Sequence, residues 1–390
     1  MRVAVEGSAF LLLLGVSLPA ADTGPVRYVG KTKYLNNARA VVTHNIDDST
    51  KYVASVLDAM DKYGIKSTIF ASTDEDPSPE DRFLTQLMVK DLWPRLRQAI
   101  DNGHEVGCHS QTHPCPRPET EANCQAAYTE AEVAGSRDQI LKHTQQPYVW
   151  TWCYPCGTCA NLESVQKKIA GAGFIVARNY PDENHDGHIV PNLQTWAANP
   201  FNAAYTQVVQ KRGGAAKSER LDLNLLNGKF DEVYSLAGIY NFMSHPQWLD
   251  YGPDGFYEKH MAHIGRRPDV WYVPMGPLYA YKTILERTDV RLLSRKKNNT
   301  RFAVSNHLDR KIYRGSITLQ FSAPPGTVIL SNGTALPERN QGLTDRWDRE
   351  YLRRDGDRLY VTVLSNTTLD FRSPPKQVQK PQKETSAGKE

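Results

Sequence analysis

The chain has 390 residues, 40% of them hydrophobic and 23% charged, with a formal net charge of +4. That length supports one large domain plus a smaller one, and the proportions are those of a globular protein. The charge is small and mixed in sign, and no basic stripe is interleaved with aromatics, so nothing argues for a nucleic-acid partner.

Residues 1–21 read as a secretory signal. Arg2 gives a thin positive start, Ala9 to Val16 are apolar, and Pro19-Ala20-Ala21 supplies small residues for cleavage. The stretch is too short for a stable membrane span. Glu6 and the single Arg depart from a standard leader, which leaves a short membrane anchor as the alternative. No later segment is long enough to cross a membrane. A secreted, periplasmic or cell-envelope location is expected.

From Ala40 onward, strand and helix patterns alternate. Ala40-Val41-Val42-Thr43-His44 predicts a strand, and Val53, Val56, Leu57, Met60 and Tyr63 share one face of a helix over 52–63. Gly64 stops that helix. Strands are predicted at Ser67–Phe70, Glu105–Cys108, Tyr148–Trp152, Phe174–Ala177, Tyr240–Met243 and Trp271–Val273. Helices are predicted over 92–100, 125–142 and around Leu162, Val165 and Ile169, the last ended by Gly171 or Gly173. The stretch 198–220 reads as a long loop carrying a helix. Such strand–helix repeats predict a parallel α/β sheet, and about seven of them favour a closed or nearly closed barrel, whose chemistry sits at the C-terminal strand ends.

After about Thr300 the pattern becomes all-β, with strands at Ser316–Phe321, Thr327–Leu330 and Leu359–Leu364. The expected organisation is a signal (1–21), a barrel (22–290), a small β-sandwich-like module (300–372) and a Pro-, Lys- and Gln-rich disordered tail (373–390).

The six cysteines are Cys108, Cys115, Cys124, Cys153, Cys156 and Cys159. An even number in an exported chain suggests disulfides. Cys115 and Cys124 would close a short loop, and one of Cys153, Cys156 and Cys159 would reach Cys108. The competing reading is a metal or iron–sulfur site on the Cys153-x-x-Cys156-x-x-Cys159 run. Asn298, Asn332 and Asn366 open glycosylation sequons. Nineteen Tyr and seven Trp fit either sugar stacking or ordinary core packing. Trp196 and Trp271 are candidates for a sugar groove or for the core.

Two short segments carry the chemistry: His44-Asn45-Ile46-Asp47-Asp48-Ser49 and His109-Ser110-Gln111-Thr112-His113. Asp47, Asp48, His109, His113, Tyr154 and His245 all fall just past predicted strand ends. Two imidazoles and one carboxylate suit a catalytic divalent ion with a position left for water. The second carboxylate can then take the water's proton. Helix capping by Asp47-Asp48 is the structural alternative.

These motifs resemble those of polysaccharide deacetylases of carbohydrate esterase family 4. That family carries Thr-Phe-Asp-Asp-Gly, here Asn45-Ile46-Asp47-Asp48-Ser49, and His-Ser/Thr-x-x-His, here His109-Ser110-Gln111-Thr112-His113. Gly103-His104-Glu105-Val106-Gly107 matches the usual approach to the second motif. The resemblance spans about residues 38–285 and implies a distorted (β/α) barrel. It implies Asp47 as catalytic base, Asp48, His109 and His113 as metal ligands, and His245 in Phe242-Met243-Ser244-His245-Pro246 as the acid that protonates the leaving amine.

The third family motif, often Arg-x-Pro-Tyr, reads Trp152-Cys153-Tyr154-Pro155-Cys156-Gly157 here. The Cys156 backbone N–H would serve as oxyanion donor, and Arg178 would replace the Arg that orients the base. Asp182, Asp186 and Asp250 are candidates for the acid that tunes His245, whereas His260 and His263 match no motif. The implied activity is removal of acetyl from an N- or O-acetylated polysaccharide or oligosaccharide, with zinc the expected ion. A non-catalytic glycan-binding protein on the same fold is the alternative.

Overall fold

The structure, a computed structural model, describes residues 26–77, 89–179, 189–190, 204–208, 223–339 and 347–374. The expected signal, nearly all of the expected tail, Asp182, Asp186 and Trp196 lie outside the described residues. No helix among those described is long and apolar enough to cross a membrane.

The chain opens with β1 (Arg27–Lys31) and β2 (Ala40–Asp47), then α1 (Val53–Tyr63), β3 (Ser67–Ala71), α2 (Val89–Asp101) and β4 (Glu105–Cys108). Two shorter helices follow, α3 (Glu121–Ala127) and α4 (Ser136–Thr144), then β5 (Thr151–Cys153), α5 (Glu163–Gly171) and β6 (Val176–Arg178). Next come β7 (Ile189–Val190), β8 (Ala204–Val208), α6 (Leu223–Ser235), β9 (Ile239–Ser244), α7 (Phe256–Ile264), β10 (Val270–Tyr272) and α8 (Met275–Arg287).

One sheet has the order β7-β6-β5-β4-β3-β2-β9-β8. All of its pairings are parallel except that between β6 and β7. The central strand β2 pairs with β9 along one side. On the other side its first half (Ala40–Val42) pairs with β10 and its second half (His44–Asp47) with β3. Among the described residues the sheet does not close, because β7 and β8 stand at its two ends. The expected barrel is therefore a curled half-barrel, α/β in class.

Both sheet faces are covered, so every residue of β2, β3 and β9 is buried, the polar ones included. One face meets α1, α2, α5, α6 and α7 through a core that includes Val56, Leu57, Ile69, Leu96, Ile169, Phe230 and Met261. The other holds Val41, Phe70, Trp150, Val176, Trp271 and Leu278. Trp271 is 1% exposed and lies 5.0 Å from the Tyr281 ring, so it belongs to the core and not to a sugar groove.

Some expected elements differ. The single helix over 125–142 is broken into α3, a π turn at Ala131–Gly135 and α4. Within 198–220 only residues 204–208 are described, as the strand β8 paired with β9; the rest of the expected loop and its helix lies outside the described residues. Asp47 closes β2 and Arg178 closes β6, instead of following those strands.

The later strands are β11 (Asp289–Lys296), β12 (Asn299–Ser305), β13 (Ser316–Ser322), β14 (Val328–Ser331), β15 (Thr334–Ala335), β16 (Tyr351–Asp355), β17 (Arg358–Leu364) and β18 (Thr367–Arg372). They form two sheets, β1-β13-β17-β16 and β11-β12-β18-β14-β15. Phe302, Phe321 and Phe371 meet in the core of this part at ring separations of 4.6–5.6 Å. The N-terminal β1 lies within the 22–290 stretch yet pairs antiparallel with β13. β11 begins at Asp289, ahead of residue 300.

At the N-terminal end of β4, Glu105 is buried. It accepts hydrogen bonds from Thr68 Oγ1 (2.9 Å), Thr151 Oγ1 (3.0 Å) and the Gly276 N–H (2.8 Å) at the start of α8. Burial outweighs these donors and pushes its carboxyl up to about 7. The folded chain thus holds a proton that the unfolded chain releases near pH 4.5. The stabilisation is complete below that pH and is lost as pH rises to about 7. We expect unfolding stability to fall by up to about 3 kcal/mol across this interval. Glu105→Gln should flatten that fall, as read by denaturant unfolding between pH 4.5 and 8. An unchanged pH dependence would remove Glu105 as its source.

Candidate active site

The C-terminal ends of β2, β4, β5, β6 and β9 meet at one corner. β2 delivers Asp47 and, one residue on, Asp48. The loop after β4 delivers His109 and His113, and the turn after β9 delivers His245. All five are at most 9% exposed. Gly107, just before the second motif, is required by close packing: a Cβ there would lie 2.8 Å from the Phe70 ring.

Asp48 Oδ1 lies 3.7 Å from His109 Nε2 and 3.5 Å from His113 Nε2. The atom is buried and, among the described residues, has no hydrogen-bond partner. A buried carboxylate oxygen without a donor is costly, so this geometry asks for a cation. A tetrahedral ion with bonds of about 2.0–2.1 Å would hold its ligands roughly 3.3–3.4 Å apart, close to the separations seen. Asp48, His109 and His113 thus fit a divalent ion.

The ligand atoms are presented by their neighbours. His109 Nδ1 faces the Cys153 carbonyl at 2.9 Å, which fixes the tautomer and leaves Nε2 as a lone pair aimed at Asp48. Burial, followed by repulsion from His113, lowers its pKa to about 3, so the ring is neutral. Gln247 Nε2 donates to Asp48 Oδ2 at 3.0 Å, turning the other oxygen to the histidines. Glu132 accepts from the Gln111 and Thr112 N–H groups (2.8 and 2.9 Å), and Ser110 Oγ accepts the His113 N–H (3.0 Å). Asp48 (φ 69°), Ser110 (φ 65°) and His113 (φ 56°) all adopt left-handed backbone. Each costs on the order of 1–3 kcal/mol, and such strain collects at functional sites.

The Asp47 carboxylate also lies beside His109, within 4.8 Å of a ring nitrogen, but its bonded partner is Arg178. The Arg178 guanidinium bonds its Oδ1, and both side chains are nearly inaccessible. Burial alone would raise the Asp47 carboxyl, but Arg178, then His245 and His109, more than offset it and hold the group below its ordinary value. Asp48 goes the other way. Burial raises it, His245 lowers it, and the neighbouring Asp47 charge raises it again, for a net rise. Removing either partner of the buried Arg178–Asp47 pair would cost about 3–5 kcal/mol. Cys153 and Arg178 are register partners on adjacent strands. Cys153 Sγ lies 3.0 Å from the guanidinium and 3.8 Å from Asp47 Oδ2.

His245 Nε2 is 4.0 Å from Asp48 Oδ2, on the rim of the same corner. Asp250 does not serve it; its carboxylate caps α7 through the Phe256 and Tyr257 N–H groups. His260 bonds Asn227 and Tyr240, and His263 pairs with Asp231, so both lie in helix packing away from the site.

The cysteine pairing differs from expectation. The disulfides are Cys115–Cys156 and Cys124–Cys159, while Cys108 and Cys153 are free and buried. Cys115–Cys124 does not form because both residues reach across to the turn after β5. Cys108 does not bridge; its thiol packs against Ser136 Oγ at 3.1 Å. With Cys156 and Cys159 bridged, the cysteine-cluster reading is also set aside. The Cys156 turn (φ 53°) is thereby tied two residues beyond His113. Sequence reasoning missed Gln247, which lies in no motif, and gave Cys153 no role beyond its place in the third motif.

Residues 35–175 match the family model described as polysaccharide deacetylase, so the resemblance drawn from the motifs stands for this part of the chain. A search of curated proteins found no match. Among solved structures, a Mycobacterium smegmatis protein provisionally described as a polysaccharide deacetylase is 13% identical. That alignment covers 70% of this chain and 99% of that one at a TM-score of 0.44. The catalytic domain of a peptidoglycan N-acetylglucosamine deacetylase from Eubacterium rectale is 14% identical, covering 60% and 86%, at 0.35. A family 4 carbohydrate esterase from Streptomyces lividans is 16% identical, covering 58% and 86%, at 0.30.

The disulfide assignment has a direct check. Denatured, unreduced protein should react with two equivalents of thiol reagent, rising to six after reduction. Six without reduction would mean that neither bridge exists.

Proposed function

We propose that this protein is a divalent-metal-dependent hydrolase that removes acetyl groups from an N- or O-acetylated glycan. The observation that carries the reading is the buried, donor-free Asp48 Oδ1 facing two imidazole nitrogens. The match of residues 35–175 to polysaccharide deacetylases supports it. Asp48, His109 and His113 would hold the ion, with zinc favoured by a two-imidazole, one-carboxylate set. When bound, such an ion supplies positive charge that acidifies a water and polarises an acyl carbonyl.

The remaining steps fall to the chain's own groups. Asp47, ionised and held by Arg178, takes the proton of the attacking water. The Cys156 N–H, on a turn braced by its disulfide, donates to the developing oxyanion. His245 protonates the departing amine or alcohol. The two disulfides suit an extracellular site of action. The barrel range 22–290 would then be the catalytic unit and 300–372 an accessory β module.

A second reading, a non-catalytic glycan-binding protein, draws on the third motif, where Cys153 and the bridged Cys156 replace the family's Arg and Tyr side chains. Arg178, delivered from the neighbouring strand to Asp47, supports the enzymatic reading instead.

Turnover of an acetylated oligosaccharide and of an activated acetyl ester, with metal content, tests the assignment. Asp47→Asn should lower turnover on both substrates by about 10²–10⁴-fold with the ion retained. His245→Ala should slow the amide more than the ester, whose leaving group needs little protonation. Turnover should decline in acid as Asp47 protonates, below the ordinary carboxylate range, since its pKa is depressed. Near-normal rates for Asp47→Asn would shift the balance to the binding-protein reading.

A further inference from the structure

A cleft of about 420 Å³ opens where the half-barrel meets the later β strands. Its wall comes from both parts. Pro147, in the link between α4 and β5, faces Arg310, Lys311, Tyr313 and Arg314 from the segment between β12 and β13. Leu364, Ser365 and Asp348 complete it. The volume lies within the roughly 300–1,000 Å³ usual for small-ligand sites.

The cleft is built and not incidental. Trp150 Nε1 donates to the Ile312 carbonyl at 2.8 Å and its ring packs edge-on against Trp347, which pins the basic segment to the half-barrel. Arg310 Nη2 donates to the Ser365 carbonyl at 2.9 Å, and Arg314 Nη2 lies 3.4 Å from Asp348 Oδ2. Asp309 beside it is engaged by the Lys311 N–H at 2.8 Å. Each guanidinium carries five N–H donors in a fixed fork, so these contacts orient the two arginines and leave further donors for a ligand. The lining holds three cations against one carboxylate. Forked guanidiniums are the usual means of gripping carboxylate or phosphate oxygens. Tyr313 and Pro147 offer flat apolar faces of the kind a sugar ring lies against.

We propose that this cleft is a second saccharide site, specific for a sugar that carries a carboxylate or a phosphate ester. It sits at the opposite end of β5 from the metal-type site. Pro147 precedes Cys153 by six positions, so no more than about 20 Å of backbone separates the two. A polyanionic glycan held here would be retained on the molecule, raising its effective concentration at the other end without entering the reaction. The proposal does not rest on the hydrolase reading, because binding alone tests it.

The test is calorimetric titration of the full chain at physiological salt with three oligomers. These are a hexamer of galacturonic acid, the same hexamer fully methyl-esterified, and a neutral hexasaccharide carrying phosphate esters. At least one anionic oligomer should bind and the neutral ester should not; which anion binds separates carboxylate from phosphate recognition. An Arg310→Gln/Arg314→Gln double variant should weaken binding tenfold or more. Lys311→Glu, at an exposed position, should do the same with the melting temperature unchanged, so misfolding cannot account for the loss. Asp47→Asn should bind as the unsubstituted protein does. Equal binding of the neutral ester, undiminished binding by both cleft variants, or no binding of either anion would overturn the proposal.

Discussion

A buried carboxylate oxygen that has no hydrogen-bond donor and faces two imidazole nitrogens is a costly arrangement in a water-poor corner. Asp48 Oδ1, His109 Nε2 and His113 Nε2 are held in that way, and much of the surrounding structure opposes their separation. The Cys153 carbonyl fixes one imidazole, Gln247 fixes the carboxylate, and Glu132 and Ser110 tie down the loop between the histidines. Three left-handed residues in these two short segments add strain that the packed sheet must absorb. The fold holds together a set of donor atoms that suits a divalent cation.

The same corner separates two aspartates that are neighbours in sequence. Asp47, the last residue of β2, turns to a guanidinium and stays ionised, while Asp48, one step into the loop, turns to the histidines. Asp48 lies past the end of β2 with left-handed backbone (φ 69°), so the turn there sets its carboxylate toward the histidines while Asp47 stays on the strand. The disulfides extend this logic to the other side of the site. Both run from the segment after His113 to the turn after β5, so the histidine loop and the Cys156 turn are one covalent unit.

Much of this was legible in the sequence, because buried parallel strands write themselves as apolar runs and their ends as polar motifs. The Glu105–Cys108 strand and the Gly64 helix stop, with its left-handed backbone, were read directly. What escaped reading depends on contacts far apart along the chain. β1 joins β13 across nearly 300 residues, which no local pattern records. Gln247 reaches Asp48 only because the turn after β9 folds over β2. The cysteine pairs could not be deduced from spacing, since pairing follows which loops meet in space. Closure of the sheet likewise depends on its edges, where β7 is a two-residue antiparallel strand and β8 pairs only with β9 among the described residues.

The central claim is that Asp48, His109 and His113 form one cation site. Protein stripped with chelator and titrated calorimetrically with zinc should bind one equivalent, with anomalous scattering placing the ion between those three side chains. His113→Ala and Asp48→Asn should each weaken that binding by an order of magnitude or more, while Asp47→Asn leaves it in place. Failure to bind a divalent ion, or binding that both ligand substitutions leave unchanged, would contradict the account.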